Sequence, residues 1–243
     1  MGEGKRAERI PILYEDRSVM ALDKPPGWML VPFSWQKTTR NLQAAITSSI
    51  AGNSFWARSR NLKFLHHVHR LDADTSGILL CAKSPGALET FSDLFEQRKM
   101  EKKYLAIAHG IPRKNEWSCQ FKIAPNPDEI GKVKINSSQG KEAETHFRVL
   151  QSREKISLIE ARPITGRTHQ IRIHLAEAGH PVVGDALYGS SVGSHLATRN
   201  FPLGLRAVSL SYFDPFSKRR TRIFAPTEEF LREYQFSGVK LFT

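Results

Sequence analysis

The stretch "HHVHRLDADTSGILLCAKSPGALETF", residues 66–91, decides the fold. Its first half is polar and ends in a glycine, a pattern typical of a loop. The apolar run at 78–83 then predicts a strand covered on both faces. A Ser-Pro pair follows as a helix start, and apolar side chains recur at helical spacing to about residue 98. A carboxylate, Asp72, therefore stands in a loop at the mouth of a rigid strand, a position that favours chemistry.

The rest of the chain predicts more strands than helices. Strand patterns lie at 12–14, 19–23, 64–71, 102–110, 117–125, 143–152, 155–164 and 206–213, and helix patterns lie at 38–50, 168–179 and 226–234. Because the two types do not alternate strictly, we expect an α+β fold with a mixed, largely antiparallel β-sheet flanked by helices. No repeat, low-complexity tract or linker divides the chain, so the sequence predicts one domain over residues 1–243.

The chain is strongly basic. It carries 36 Lys and Arg against 24 Asp and Glu, which gives a formal charge of +12, and its pI is about 9.9. This excess points to a polyanionic partner, nucleic acid first and an anionic membrane surface second. With 40% hydrophobic residues the chain can bury a sizeable core, which excludes intrinsic disorder.

The cysteine content and the first residues bear on location. The two cysteines, Cys81 and Cys119, are too few for a disulfide framework or a cysteine zinc site. The first ten residues lack the apolar stretch of a signal peptide, and no apolar run reaches membrane-spanning length. We therefore expect a cytoplasmic protein with no membrane partner.

Several catalytic chemistries lack their motifs. The chain has no Gly-x-Ser-x-Gly elbow and no Walker loop. A kinase loop needs an Asn five residues after the Asp of its "HRD", and Gly77 stands there. His66, His67 and His69 invite a metal site, but only two of them would share a face of a strand and no further ligand completes a shell. The sequence predicts neither a metal nor a cofactor.

Asp72 has two interpretations. It could cap its own turn, which is common, or it could act chemically. A second stretch, "RPITGRTHQIRIHLAEAGHPVVGDALYG" at residues 162–189, favours chemistry because it places Arg162, Arg167 and Arg172 around a turn and a helix start. A guanidinium can bind a carboxylate through two parallel hydrogen bonds. The alternative is that these arginines bind phosphate or lie on the surface.

Three stretches together resemble the RluA-type family of pseudouridine synthases. They are "HRLDADTSGILLCAKS", "EKKYLAIAHG" and "PITGRTHQIRIHLAEAGHPVVGDALYG". They occur in that order, and the resemblance spans about residues 10–226. It implies the pseudouridine synthase catalytic fold with a central RNA-binding cleft, without a separate N-terminal RNA-binding module. It also implies a cofactor-free enzyme that isomerises uridines of structured RNA, ribosomal or transfer, to pseudouridine.

The resemblance also implies roles for single residues. Asp72 corresponds to the essential nucleophile and Arg167 to its ionic partner. Tyr104 corresponds to the tyrosine beside the base, and Arg70 to the arginine that helps to displace that base. Two routes stay open for Asp72, attack on the sugar or proton removal to form a glycal. Tyr104 either accepts a proton or stacks on the flipped uracil.

RNA binding is expected to use further basic residues. Lys102, Lys103 and Arg172 are candidate contacts to the RNA backbone, although each could equally be solvated surface. The target uridine must leave its stack to be reached, so base flipping is expected. The alternative function is a non-catalytic RNA-binding or RNA-chaperone protein on the same scaffold, and no obligate protein partner is evident.

The chain departs from the family pattern at two positions. Arg206 and Asp214 stand where histidines are common in the family.

Overall fold

The computed structural model describes residues 9–30, 40–189, 201–239 and 241. Within these ranges ten strands form one sheet and two form a separate hairpin. The strands are β1 (Ile12–Glu15), β2 (Val19–Lys24), β3 (His66–His67), β4 (Ser76–Ala82), β5 (Glu101–His109), β6 (Glu116–Cys119), β7 (Ile123–Pro125), β8 (Val133–Ile135), β9 (Thr145–Arg153), β10 (Ile156–Pro163), β11 (Leu205–Phe213) and β12 (Arg220–Phe224). The helices are α1 (Leu42–Ala51), α2 (Phe55–Arg58), α3 (Pro85–Glu96), α4 (Gln170–Glu177) and α5 (Glu228–Glu233).

The sheet is mixed, and most of its strands are antiparallel. Its order is β1-β2-β4-β11-β5-β10-β9-β6, with β12 beside β11 and β3 beside β4. The central pair β4 and β11 is parallel, and every other pairing between the described strands is antiparallel. The predicted α+β class, with a mixed and largely antiparallel sheet flanked by helices, is confirmed.

A glycine allows the two central strands to meet. Gly77 lies opposite Ala207 in the β4–β11 pairing and has a φ of +105°. A Cβ atom at this position would lie 2.1 Å from the carbonyl oxygen of Ala207. Because only glycine tolerates both the left-handed region and this approach, it fixes β4 against β11 directly after the Asp72 loop.

Alternation along β5 divides the core between the two faces of the sheet. Ala106 packs on one face with Leu175 of α4. Ile107 packs on the opposite face with Phe230 of α5. A further core under β2 and β4 encloses Phe91 of α3, which is fully buried. None of the described helices is both long and apolar enough to cross a bilayer.

Most predicted elements are present, with one clear error. The helix after the buried strand is confirmed, and the Ser84 hydroxyl accepts a hydrogen bond of 3.2 Å from the backbone N–H of Ala87. The predicted strand at 64–71 shrinks to the two residues of β3. It ends there because a side chain, His69, takes the place of a backbone carbonyl and accepts from the Leu80 N–H at 3.1 Å. The helix predicted at 38–50 begins only at Leu42, and residues 38 and 39 lie outside the described ranges.

Candidate active site

A cleft opens between the loop that precedes β4 and the turn that precedes α4. It contains about 480 Å³ of empty space, which includes open solvent at its mouth. The cleft brings together six of the seven residues singled out from the sequence: Arg70, Asp72, Lys102, Tyr104, Arg167 and Arg172.

The seventh, Lys103, lies on the other face of the sheet. Neighbouring strand residues point to opposite faces, so Lys102 and Tyr104 line the cleft while Lys103 faces away. Its ammonium lies 3.6 Å from the buried carboxylate of Glu160, which Arg162 also contacts at 2.6 Å. The prediction that Lys103 contacts the RNA backbone therefore has no support from the cleft, because Lys103 belongs to an ion-pair cluster behind the sheet.

The Asp72 loop is tied down by a buried lysine. Lys24, at the end of β2, is fully buried and donates to the carbonyl oxygens of Ala73 at 2.6 Å, Thr75 at 2.9 Å and Pro25 at 3.0 Å. The backbone N–H of Gly27 also donates to Ala73, at 2.9 Å. The "KPPG" turn thus holds the two carbonyls that flank residue 74, and it fixes the backbone just beyond the nucleophile candidate.

The other side of the same loop is fixed by His69. Its Nε2 accepts from the Leu80 N–H, so the neutral ring carries its proton on Nδ1, and it stacks on Phe95 with centroids 4.5 Å apart. Burial lowers the pKa of His69 to about 3, and the nearby charge of Lys102 acts in the same direction. The ring is therefore neutral near pH 7, which its hydrogen bond requires.

A buried glutamine shapes the turn before α4. The side-chain oxygen of Gln170 accepts from the Thr165 hydroxyl at 2.6 Å and from the Arg167 N–H at 3.0 Å. Its amide donates to the Glu144 carbonyl and the Thr145 hydroxyl, both at 2.9 Å. All of its polar groups are thus used to hold the turn against β9.

The ion pair of Asp72 forms with Arg172 and not with Arg167. Nη1 of Arg172 lies 3.4 Å from Oδ2 of Asp72, while Arg167 donates through Nε to the Glu142 carbonyl at 3.0 Å. The prediction that Arg167 is the ionic partner was therefore wrong, and so was the prediction that Arg172 contacts the RNA backbone. Arg172 lies within α4 and is only 4% exposed, so it faces the protein interior, whereas Arg167 precedes the helix at the cleft rim.

Arg172 is itself held by a second carboxylate. Its Nε and Nη2 donate to the two oxygens of Asp185, both at 2.7 Å. The Asp185 side chain is fully buried. Its Oδ1 also accepts from the backbone N–H groups of Leu187 at 2.9 Å and Tyr188 at 3.2 Å. The cation therefore reaches Asp72 from a fixed position.

A tyrosine–histidine pair completes the surroundings of Asp72. The Tyr188 hydroxyl accepts from the Val133 N–H at 3.0 Å, so its own proton is available to Nδ1 of His169 at 2.9 Å. This arrangement puts the imidazole proton on Nε2, which lies 3.9 Å from Oδ1 of Asp72. Burial lowers the pKa of His169, against the opposing effect of Asp72, and keeps the ring neutral.

Tyr104 projects into the same cleft from β5. Burial raises the pKa of its phenol well above the ordinary value near 10, and the negative charge of Asp72 raises it further. The hydroxyl is therefore protonated at neutral pH. A resting phenolate is excluded, so any proton that Tyr104 takes must be matched by one that it gives away.

Sequence reasoning missed three residues that shape the site: Lys24, His169 and Asp185. His169 and Asp185 lie inside the stretch quoted above at residues 162–189, and Lys24 begins the "KPPG" turn. The available signal was a charged or titratable residue next to turn residues within those motifs. Their partners are 13 to 97 positions away, however, and spacing does not identify such contacts.

The two departures from the family pattern have structural contacts. Arg206 is buried and donates to Asp23 at 2.7 Å and to the Pro226 carbonyl at 3.0 Å. Asp214 is buried too and accepts from the N–H groups of Phe216 at 2.7 Å and Ser217 at 2.9 Å, in the turn between β11 and β12. Both side chains therefore stabilise the β11 region.

Comparisons with known proteins find matches along most of the chain. The sequence model of a family described as RNA pseudouridylate synthase matches residues 18–177. The chain is 34% identical over 226 residues to "Ribosomal large subunit pseudouridine synthase C" of Escherichia coli (strain K12), covering 91% of this chain and 67% of the relative. The protein of the same name from Vibrio cholerae is 32% identical over 227 residues, covering 91% and 67%.

A solved structure has the same fold. "Human RNA Pseudouridylate Synthase Domain Containing 1" superposes with a TM-score of 0.72 at 27% sequence identity, covering 93% of this chain and 86% of that chain. The mixed sheet with its flanking helices is thus shared along nearly the whole length.

Proposed function

The chain belongs to the family of RNA pseudouridylate synthases, and on this premise we propose that it isomerises particular uridines of large-subunit ribosomal RNA, with Asp72 as the reacting carboxylate. The observation that carries the proposal is the position of Asp72 in an open cleft, 3.4 Å from a buried arginine. The names of the relatives support ribosomal RNA as the substrate, and the charge of +12 supports a polyanion.

The isomerisation breaks the N1–C1′ bond of uridine and forms a C5–C1′ bond. Arg172 holds Oδ2 of Asp72, whereas the His169 N–H is 3.9 Å from Oδ1, beyond hydrogen-bond distance. We assign Oδ1 to the reaction at the sugar. It either bonds to C1′ or removes the C2′ proton to form a glycal, and in both routes the N1–C1′ electron pair leaves with the base.

The reaction supplies its own atoms. The product has the composition of the substrate, and no electrons enter or leave. The chemistry assigned to the chain is therefore attack or proton removal by Asp72 and proton transfer at C5, with no cofactor required.

The substrate has to enter the cleft as an extruded nucleotide. Asp72 is only partly exposed, so a uridine stacked in a helix would not place C1′ at its carboxylate. Arg70 is exposed at the rim and its Nη2 lies 3.5 Å from the Thr168 hydroxyl. Arg70, in the loop before β4, and Arg167, in the turn before α4, thus offer cationic groups at the mouth of the cleft, which suits displacement of the base and binding of the RNA backbone.

Tyr104 is assigned to the end of the reaction. Loss of the C5 proton restores the aromatic ring of the product, and a group beside the base must take that proton. Because the phenol is protonated in the resting enzyme, we assign it a relay in which the oxygen accepts the C5 proton as its own proton moves on. Stacking on the base uses the same ring and does not conflict with the relay.

The test compares two isosteric substitutions in one loop. Asp72→Asn and Asp74→Asn each remove one negative charge, and Asp74 is exposed to solvent. Both variants are incubated with large-subunit ribosomal RNA and, in parallel, with transfer RNA, and pseudouridine is mapped chemically. We expect conversion of ribosomal RNA by the wild type and by Asp74→Asn, and none by Asp72→Asn. Conversion that persists in Asp72→Asn rejects this carboxylate, and conversion of transfer RNA alone rejects the ribosomal substrate.

A further inference from the structure

One ammonium in the cleft is not satisfied by the protein. Lys102 lines the cleft beside Tyr104, and its Nζ donates to the Thr165 carbonyl at a long 3.3 Å. Among the described residues, no carboxylate comes within 4.0 Å of it. Since an ammonium has three donors, most of its hydrogen-bonding capacity is unused within the described part of the chain.

Lys24 provides an internal comparison. Burial lowers the pKa of Lys24 and of Lys102 alike, each to about 8. Lys24 nevertheless makes three hydrogen bonds of 2.6 to 3.0 Å to backbone carbonyls, so the fold itself accounts for its charge. Lys102 is only partly buried, but within the described residues it has just one long hydrogen bond and no carboxylate beside it. A cation that is buried without such compensation costs stability, and its retention in a cleft points to a ligand.

The position of Lys102 selects the part of the ligand that it meets. The cleft that offers Asp72 to the sugar must also accommodate the base, because the base is bonded to the sugar carbon at which Asp72 acts. Lys102 and Tyr104 project into that cleft from one face of β5. The RNA backbone, in contrast, can be met at the exposed rim by Arg70 and Arg167.

We propose that Lys102 is a catalytic residue that donates a hydrogen bond to a uracil carbonyl oxygen and stabilises the negative charge of the base as the N1–C1′ bond breaks. This inference rests on the proposed function. When that bond breaks, its electron pair stays on the base and spreads over N1 and the two carbonyl oxygens. When C5 bonds to C1′, the pair returns to the new bond. Lys102 keeps its proton throughout, so the step balances in both routes open to Asp72.

The expected magnitude follows from other fixed donors of this kind. Removal of one donor aimed at developing charge typically slows a reaction roughly 100-fold to 1,000-fold. Lys102→Met keeps the length and apolar stem of the side chain and removes the charge. Because an uncompensated cation is removed, the melting temperature of the variant should equal or exceed that of the wild type.

The experiment uses leaving-group strength as its readout. The full chain and its Lys102→Met and Lys103→Met variants are given one ribosomal RNA substrate, with uridine or 5-fluorouridine at the target position. Single-turnover loss of the N1–C1′ bond and RNA affinity are measured. Fluorine withdraws electrons and makes the departing base a better leaving group. The single-turnover cleavage rate of Lys102→Met should therefore fall about 100-fold or more with uridine. With 5-fluorouridine the fall should be at least tenfold smaller.

Each alternative gives a different pattern. Equal losses on the two RNAs mean that Lys102 only shapes the cleft, and weaker RNA affinity with an unchanged cleavage rate means that it binds a phosphate; either result overturns the inference. A lower melting temperature for Lys102→Met, with equal losses, overturns it as well. Lys103→Met, on the far face of the sheet, controls for loss of one positive charge. If the wild type converts no RNA, the proposed function itself is rejected, and this result differs from each pattern that rejects the role of Lys102.

Discussion

The guanidinium of Arg172 is clamped by the carboxylate of Asp185 through two parallel hydrogen bonds of 2.7 Å. The side chains are 5% and 0% exposed, so solvent contributes little to holding either charge. A pair in this geometry gains energy and direction together, because the planar fork fits the carboxylate in one orientation. The weaker contact of 3.4 Å to Asp72 is the one left to adjust during a reaction.

Replacement of Asp185 tests this clamp. Asp185→Asn keeps the shape but leaves Arg172 without its buried counter-charge, and breaking a buried pair typically costs about 3–5 kcal/mol. We expect a loss of that size in urea unfolding, and a fall in kcat of tenfold or more because Asp72 loses a fixed partner. Asp128→Asn removes a carboxylate from an exposed loop and serves as the control. An Asp185→Asn protein with wild-type stability and turnover would show that the clamp is dispensable.

Replacement of Arg172 should mainly affect turnover, and replacement of Arg167 should mainly affect RNA binding. Arg172→Lys keeps the charge but cannot bind Asp185 in two places, and we expect kcat to fall about 100-fold with little change in RNA affinity. Arg167→Met removes a rim cation, which should weaken RNA binding more than turnover and reduce the slope of log affinity against log salt by about 1. Turnover and binding are measured over a salt series. The reverse pattern would restore Arg167 as the partner of Asp72.

Local patterns were sufficient for the parts of the site that are local. The loop with Asp72, the buried strand after it and the Ser84 cap follow from turn residues, apolar runs and helical spacing within one stretch. Strand alternation alone separates Lys102 from Lys103. Local patterns did not show which arginine, Arg167 or Arg172, pairs with Asp72. It depends on the left-handed backbone of His169, with a φ of 53°, where the chain enters α4 and turns position 172 inward.

Contacts between distant segments could not be obtained from the sequence. Asp185 meets Arg172 through a loop, and Lys24 meets the Asp72 loop 49 positions away. Nothing in either local sequence fixes the distance to its partner. The strand error at 64–71 has a similar origin, since a His side chain replaces a backbone acceptor there.

Gly77 should not accept a side chain. Gly77→Ala combines a φ of +105° with a Cβ placed 2.1 Å from the Ala207 carbonyl oxygen, and strain of both kinds should cost about 3 kcal/mol or more. Gly86→Ala is the matched control, because a Cβ there meets nothing within 4 Å and the residue lies in α3. We expect that control to be neutral or up to about 1 kcal/mol more stable. Thermal and urea unfolding give the stability of both variants. Similar values for Gly77→Ala and Gly86→Ala would contradict the steric constraint at Gly77.

The His69 ring should make the protein sensitive to acid. Its pKa falls to about 3 in the folded chain, from about 6.5 when unfolded. Between these values the unfolded chain binds more protons, so stability falls as the pH falls from 6.5 towards 3. At pH 5 this one group accounts for about 2 kcal/mol. His69→Gln should shrink the difference in unfolding free energy between pH 7 and pH 5 by that amount, and an unchanged difference would exclude His69 as its source.

Removal of the Tyr104 hydroxyl distinguishes a role in proton relay from a role in stacking on the base. Tyr104→Phe keeps the ring and removes only the group whose pKa is raised by burial and by Asp72. If the phenol relays the C5 proton, the variant should lose about 100-fold or more in turnover, while cleavage of the N1–C1′ bond in a single turnover continues. Tritium or deuterium at C5 of the uridine follows the proton directly, and its release should slow in step with turnover. Wild-type release by Tyr104→Phe would reduce the residue to a surface on which the base stacks. Tyr212→Phe, a buried tyrosine whose phenol also has a raised pKa but does not line the cleft, controls for loss of a phenol elsewhere.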